Sequence, residues 1–586
     1  MSKKIPSWRK LRKIDLKSVD KRSKKVETAT AKHAHKFLVS RMDNLQFIRR
    51  HLIAWLLLLI ILIGLNAAQI IFNQSSVSVQ TPAENSAYGE GVLGPLDNLN
   101  PLFASSDAEA SATKLMFSGL LSYDTSGKLQ GDAAQNYVIS DNGRVYTVNL
   151  RPNLQWHDGK PVTADDVVFS VQAMQNPLSG ASQFSSWQGI KVAANGSQQV
   201  IFTLPTSYAP FASALTFPIL PNHILGKVPP QDLQENNFNN HPIGSGPFKY
   251  VDLQTIDASK DKKVLQVEKY ENYWAGSSKL SRFSLYVYGS RDDLAQGIQR
   301  REINAASGIK VEARGLSSTD LPLNNGVYAI FRTDTGVLKD KTIRKSLVQA
   351  LDRQALRKKL GVSKALEGPI INNQTPLANQ VMQPGFDITT AQQQLDAAGW
   401  LKDSKGMRQN AGQPLEIRVV SVDTANYRKV VKNLAKQWQK LGIKIQTQLI
   451  DPQQIQQIIL QPRAYDVLVY ELSMGGDPDS YAFWHSSQIS TSGLNFANYT
   501  SAAADDALIT ARGRSSMALR DPKYAAFARR WVEDVPAAAL YRSSLRYTTT
   551  EGTQALDPSD SLVSPTDRFY GVSYWSAEQS QAYNTP

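Results

Sequence analysis

The sequence predicts a mixed α/β protein of two or more lobes, preceded by one membrane-spanning helix. Three observations carry that prediction: a single uncharged apolar run, a body too long for one core, and alternating helical and strand periods along that body. The run is Ile53–Phe72 (IAWLLLLIILIGLNAAQIIF), 20 residues without a charge, about the length a helix needs to cross ~30 Å of hydrocarbon. Residues 1–50 hold 16 Lys or Arg and 4 Asp or Glu. Subtracting these from 65 and 51 leaves 49 basic and 47 acidic residues for positions 51–586. The basic excess thus belongs to the head. By the positive-inside rule, residues 1–52 form a basic cytoplasmic tail and the body is exported.

A cleaved signal peptide fits the run less well. Its apolar core is longer than the usual roughly 7–15 residues, 50 residues precede it, and Leu65-Asn66-Ala67 is a poor cleavage site. Residues 53–72 therefore read as an uncleaved signal-anchor, giving a single-pass plasma-membrane protein with its N-terminus cytoplasmic. Residues 73–87 are polar and aperiodic, a linker. The head lacks interleaved aromatics and a helical apolar period, so no nucleic-acid partner is predicted.

From about residue 84 the body is too large for one core. With no cysteine in the chain, disulfides, thiolate metal sites and a Cys nucleophile are excluded. Only four His residues (157, 223, 241, 485) fall in the body, too scattered for a predicted metal site, and no cofactor is expected. No His-Glu-x-x-His, Gly-x-Ser-x-Gly, Walker or dinucleotide motif occurs. Gly244-Ser-Gly246-Pro247 lacks the lysine of a phosphate loop and reads as a rigid turn, and His157 beside Asp158 reads as a turn pair. A non-enzyme is predicted.

The elements follow in order. Val145–Leu150 alternates as a strand. Thr163-Ala-Asp-Asp166 before an apolar run marks a capped helix start, its acids favourably placed at the positive end. Lys191–Leu204 reads as a hairpin about Asn195-Gly196, which suits a tight primed turn. Ala391–Gly399 is a short helix with a glycine terminator. Val430, Val431, Leu434, Ala435, Trp438 and Leu441 form a helical stripe ended by Gly442, after which Ile443, Ile445 and Thr447 switch to period two. Tyr465–Tyr470 reads as a buried strand, and Gly475–Asp479 as a turn.

Several stretches, in order, resemble the family 5 extracellular solute-binding proteins, the peptide- and nickel-type receptors of ABC importers. They are Leu99–Phe103, Met116–Asp124, Tyr146–Arg151, Leu154–Val167, Pro242–Phe248 with Tyr270–Trp274, Ile343–Arg353, Ala391–Trp400 and Trp438–Ile443. The resemblance implies a two-lobed periplasmic-binding-protein fold of class II, the large peptide-binding type with an extra subdomain. Lobe I would span 84–325 plus 544–586, with the inserted subdomain near 126–239, and lobe II 326–543. It also implies an oligopeptide or other small solute held between the lobes and delivered to ABC permease subunits.

In peptide-binding relatives an aspartate four residues before a proline pairs with the ligand's α-amino group. Counting back from Pro478, that position is Met474. An unpartnered buried ammonium costs several kcal/mol, so another acid substitutes or the ligand lacks a free amine there. Glu471 and Asp477 are the nearby acids. Ser473, Gly475 and the aromatics Trp484, Tyr499 and Tyr541 complete the expected ligand-binding set. Two alternatives remain open, a sensor or scaffold of the same fold and a receptor for a non-peptide solute.

Overall fold

Two strands run through both lobes of the body. Leu316–Phe331 and Ala537–Thr550 pair antiparallel, from Leu316 opposite Thr550 to Ile330 opposite Ala537. They occupy the middle of one ten-stranded sheet. On one side of the pair lie Ala305–Ser307, Ser86–Leu93, Leu280–Tyr288, Lys262–Lys269 and Phe248–Asp257, in that order. On the other lie Val467–Ser473, Glu416–Val422 and Lys444–Ile450. The computed structural model describes residues 32, 45–76, 78–82, 86–371, 375–577 and 579–583.

Each end of the sheet is covered on both faces, as a twisted sheet with apolar residues on both sides requires. In the first lobe, Leu321, Leu323, Leu545 and Tyr547 share a core with helix Asp107–Met116 and a separate four-stranded sheet. That smaller sheet runs Ala134–Ser140, Val145–Leu150, Gln199–Thr203, Lys191–Ala194. Helix Arg291–Gln299 covers the opposite face. In the second lobe, Tyr328, Ile330, Leu468 and Leu472 face helices Ala502–Arg512 and Met517–Asp534. Val327, Ala329, Val467 and Val469 face helices Lys341–Gln349 and Ala425–Gln439.

The local signals are realised where they were predicted except for the tight turn at Asn195-Gly196, where only Gly196 has positive φ and Asn195 N–H donates to Gln199 O at 2.8 Å across a three-residue loop. Thr163 and Asp166 form a reciprocal capping box at the start of Ala164–Gln175. Asp166 also accepts from Asn222 N–H at 2.8 Å, tying the helix to the next segment. Gly244 and Gly246 lie against the end of helix Asp107–Met116, so close that a Cβ on Gly244 would meet Met116 O at 1.9 Å. The turn is held by His157, whose Nδ1 accepts from Gly244 N–H at 3.2 Å while Nε2 sits 3.0 Å from Gly246 O. Burial lowers its pKa to about 4, so the ring is neutral and donates through Nε2. Asp158 turns away from His157 and pairs with His223 at 2.8 Å.

Three residues, 323–325, bulge out of the crossing pair, since the register steps from Pro322–Ser544 to Gly326–Arg542. A bulge bends a strand and breaks its ladder, and here it falls where the chain leaves one core for the next. Arg542 braces it through Leu323 O at 3.1 Å and Asn324 Oδ1 at 3.0 Å. Asn325 Nδ2 donates to Glu471 Oε1 at 2.7 Å, and Ser543 Oγ to the same oxygen at 3.2 Å. One carboxylate oxygen therefore clasps both crossing strands at the bulge.

The first lobe has its own buried clasp. Arg568 donates to Glu90 Oε1 from Nε at 3.0 Å and Nη2 at 2.6 Å, and to Ser111 Oγ at 2.9 Å. Tyr547 OH donates to Glu90 Oε2 at 2.5 Å and meets Tyr88 OH at 2.7 Å. This network joins the C-terminal segment, a crossing strand, strand Ser86–Leu93 and helix Asp107–Met116.

The helix Leu45–Ser76 belongs to a separate unit, Met1–Thr81 with Ser580–Pro586. Its described side chains, from Ile53 to Gln69, are exposed, a row of uncovered Leu and Ile. Among the described residues no helix is long and apolar enough to cross a membrane. Most of the predicted basic tail, residues 1–52, lies outside the described residues.

Arg568→Met is expected to cost about 3–5 kcal/mol in denaturant unfolding, because it strands the Glu90 charge in the core. A second outcome concerns pH. Burial pushes the Glu471 carboxyl above the usual glutamate range, and Asn325 and Ser543 offset part of that. A folded-state pKa above the unfolded one supplies stability that is complete below the unfolded value and lost as pH climbs through the folded value. Glu471→Gln should therefore melt with the parent at the acid end of a pH series and above it at neutral pH. Coincident melting curves throughout would remove the charge from any role at the bulge.

Candidate functional site

Strand Val467–Ser473 delivers its following loop to the mouth of the bulge. Met474 N–H donates to Asn324 O at 2.9 Å, and Asn324 Nδ2 donates to Gly475 O at 3.0 Å. Gly475 adopts φ +67°, and with Gly476 it forms one wall of a cavity of about 440 Å³. The facing wall belongs to the first lobe. Thr113 and Lys114 come from helix Asp107–Met116, Tyr123 from strand Leu121–Tyr123, and Ser564, Thr566 and Asp567 from the segment that returns after the second crossing. A site enclosed by two lobes and a loop at their junction is a common setting for a small-molecule pocket.

Gly476 sets how closely the walls approach. A Cβ there would lie 2.1 Å from the Tyr123 ring, so only glycine allows the loop to touch it. The lining is rich in hydroxyls: Thr113, Ser122, Ser213, Thr216, Ser564 and Thr566. Its charged groups are Lys114 and Asp567. Asp567 accepts from Ser564 N–H at 2.7 Å and Ser564 Oγ at 2.8 Å, closing a capping box. Burial raises its pKa, and the Lys114 charge works against that rise. Lys114 acts likewise on Asp132, which accepts from Trp274 Nε1 at 3.0 Å and Gly119 N–H at 3.1 Å.

The acids of the loop are already engaged. Asp477 receives both Arg520 amino groups, at 2.7 and 2.5 Å, and accepts from Asp479 N–H at 2.9 Å. Asp479 receives Arg512 Nη2 at 2.7 Å. Paired carboxylates of this kind hold the loop's shape. Glu471 follows Val467 and Val469 by period two, so it lies on the face of the sheet opposite Leu468, Leu472 and Met474. Its pKa is raised by the same burial that brings Tyr427, Tyr470 and Tyr541 within its field. No cation among the described residues pairs with it.

The expected site residues therefore separate. Gly475 lines the cavity, and Asp477 braces its wall from behind. Met474 points into the second-lobe core, and Ser473 is exposed at the strand end. The expected cleft aromatics are core residues. Trp484 packs edge-on to Tyr328 and Trp531, Tyr499 donates to Asp534 at 2.8 Å beneath the sheet, and Tyr541 receives Asn426 Nδ2 at 3.4 Å. Each has less than a twentieth of its surface exposed, because apolar rings gain more by packing than by lining a hydroxyl-rich space. The sequence reading missed the first-lobe wall. The Ser564-x-x-Asp567 capping spacing was visible, but nothing local placed it opposite Gly475. No group of three or more metal-ligating side chains occurs among the described residues.

The family model described as bacterial extracellular solute-binding proteins, family 5 middle, matches residues 128–493. The oligopeptide-binding protein AppA of Bacillus subtilis is 29% identical over 478 residues, covering 77% of this chain and 85% of that protein. The structure of AppA from Bacillus subtilis in complex with a nonapeptide superposes with a TM-score of 0.66 at 25% identity, over 85% of this chain and 99% of that one. NikZ from Campylobacter jejuni, solved with Ni(L-His), gives 0.68 at 24% identity over 84% and 99%, a likeness of fold. The two lobes, the crossing strands and the ordered motifs thus have one source: the chain belongs to the bacterial extracellular solute-binding proteins of family 5.

Proposed function

We propose that this protein captures oligopeptides outside the cell and hands them to the permease of an ABC importer. The observation that carries the reading is the cavity between Gly475–Gly476 and the first lobe, in a chain whose likeness to a nonapeptide-binding protein spans most of its length. A wall of hydroxyls and backbone groups suits peptide main chain, whose donors and acceptors repeat whatever the side chains, and bridging water extends that tolerance. Lobes dividing near 325 and 543 are part of this proposal, supported by the bulge at 323–325 with Ser543 opposite it. Ser473, Met474, Gly475 and Asp477 are proposed as the loop that shapes the cleft, Glu471 as its neighbour at the hinge, and Trp484, Tyr499 and Tyr541 as the packing beneath.

The body is proposed to be held at the membrane by residues 53–72, with the N-terminus cytoplasmic. The uncharged 20-residue run and the basic residues before it support this. No catalytic step is proposed. The acids nearest the cleft are engaged, Asp567 in a capping box and Asp477 and Asp479 in ion pairs.

Full-length protein in detergent, examined by native mass spectrometry, is expected to release a ladder of peptide masses on denaturation. A single defined non-peptide mass would move the cargo to another solute. The loop acids are taken up by Arg520 and Arg512 and the Asp567 carboxylate in the cavity wall by its capping box, so N-acetylation of a released peptide should change its affinity by less than about threefold. A buried salt bridge to the amine would cost several kcal/mol on the same change. Calorimetric titration with paired free and acetylated peptides reads the difference, and a loss above about a hundredfold would require an amine anchor.

A further inference from the structure

Away from the bulge, the two lobes touch again at the lip of the cleft. Helix Ala502–Arg512 of the second lobe ends against the segment Ser207–Ala209 of the first. Ala209 N–H donates to Arg512 O at 2.9 Å, and Ser207 Oγ donates to Gly513 O at 2.9 Å. A helix C-terminus leaves its last carbonyls without intrahelical donors and carries partial negative charge. Here the other lobe caps them. Tyr208 is held in place from its own side, where Tyr146 OH donates to Tyr208 O at 3.1 Å.

The Arg512 side chain completes the contact. Its guanidinium lies 3.8 Å from the ring centre of Tyr481 and 4.9 Å from that of Tyr208, within the range of cation–π attraction. Its Nη2 donates to Asp479 at 2.7 Å. Asp479 belongs to the same loop whose Gly475 and Gly476 line the cavity, and Asp477 of that loop orients it through the 2.9 Å bond to its N–H. The cavity wall and the lip are therefore two ends of one braced loop.

We infer that Ser207–Ala209 and Arg512–Gly513 form a latch that holds the lobes shut, with Arg512 its positioning residue, seated by Asp479 and clamped between Tyr208 and Tyr481. The inference extends the receptor reading only in what the lobes enclose. The closing contact itself is independent of cargo. Opening the cleft separates Tyr208 from Arg512 and returns two helix-end carbonyls to water, whereas the Arg512–Asp479 pair stays within its lobe.

The chain contains no cysteine, so two introduced thiols take spin labels without background. Gln198→Cys and Asp506→Cys are both exposed and lie on opposite lobes. Pulsed electron–electron resonance on full-length protein in detergent, stripped of bound ligand by unfolding and refolding and with no peptide added, reads the open and closed distances. Tyr208→Leu removes the ring but keeps its bulk, and Arg512→Lys keeps the charge on Asp479 but loses the planar stack. Each is expected to lower the closed-to-open ratio by about threefold or more, with Ser207→Ala doing so more weakly and all three melting with the parent. An unchanged ratio in Tyr208→Leu and Arg512→Lys, or a parent with no closed population, overturns the latch. Peptide binding enters neither readout, so a failed latch leaves the proposed cargo standing, and a protein that binds no peptide still tests the latch.

Discussion

Every other feature of the body depends on the pairing of Leu316–Phe331 with Ala537–Thr550. Those two strands belong to both lobes, and one sheet is continuous through them. A continuous antiparallel ladder resists bending, so relative movement concentrates where the ladder is broken. The larger break sets three residues on one strand, 323–325, against the single residue Ser543 on the other, and a second, one-residue shift follows at Leu540. The polar groups freed there are taken up by Arg542, Asn324, Asn325 and Glu471, which meets the requirement that buried backbone and amide groups find partners. Domain closure concentrates backbone change at a few residues, and a broken ladder is where such change meets least resistance.

The cavity inherits its geometry from the bulge. Asn324 bonds Met474 on one side and Gly475 on the other, so the loop that lines the cleft is fastened to the crossing strand at the residue where it bends. Farther along, Asp477 and Asp479 spend their charges on Arg520 and Arg512 of the two helices behind the loop. Buried ion pairs contribute little net stability but much geometry. The loop is thus rigid at both ends, and its two glycines can present backbone to the cleft without a side chain between.

Much of this architecture was legible because the signals were local. The capping box at Thr163 and Asp166, the Asn195-Gly196 hairpin and the apolar stripe from Val430 to Leu441 each specify their element within a few residues. The Gly-Ser-Gly turn was legible as a rigid turn, yet its cause lay elsewhere, in Met116 and His157. The crossing strands were not legible. Leu316–Phe331 opens on Ser317, Ser318, Thr319 and Asp320 and carries Asn324, Asn325 and Gly326 at its centre, a composition that reads as loop. It is a strand because partners more than 200 residues distant supply its ladder. Glu90 and Arg568, separated by 478 positions, likewise carry no local mark. Of the expected site residues Gly475 lines the cavity, while the facing wall carried no local mark, since it is assembled from distant segments at 101–123, 183, 213–218 and 563–567.

The aromatic residues show why composition misleads about sites. Trp484, Tyr499 and Tyr541 flank the loop in sequence or in the sheet, and a cleft role follows if proximity along the chain is the guide. Burial decides otherwise. Trp484 meets Tyr328 and Trp531 at ring-centre distances of 5.8 and 5.5 Å, both edge-on, the arrangement favoured by the ring quadrupoles. That cluster stiffens the second lobe directly under the loop, leaving the hydroxyls of Thr113, Ser213 and Thr566 to face the cavity from the first. A receptor built this way divides its labour: one lobe supplies a rigid backbone edge, and the other supplies adaptable polar groups. Under the proposed peptide-receptor function, such a division favours main chain over side chain, because the fixed partner reads a repeating backbone while the adaptable partners accommodate what varies.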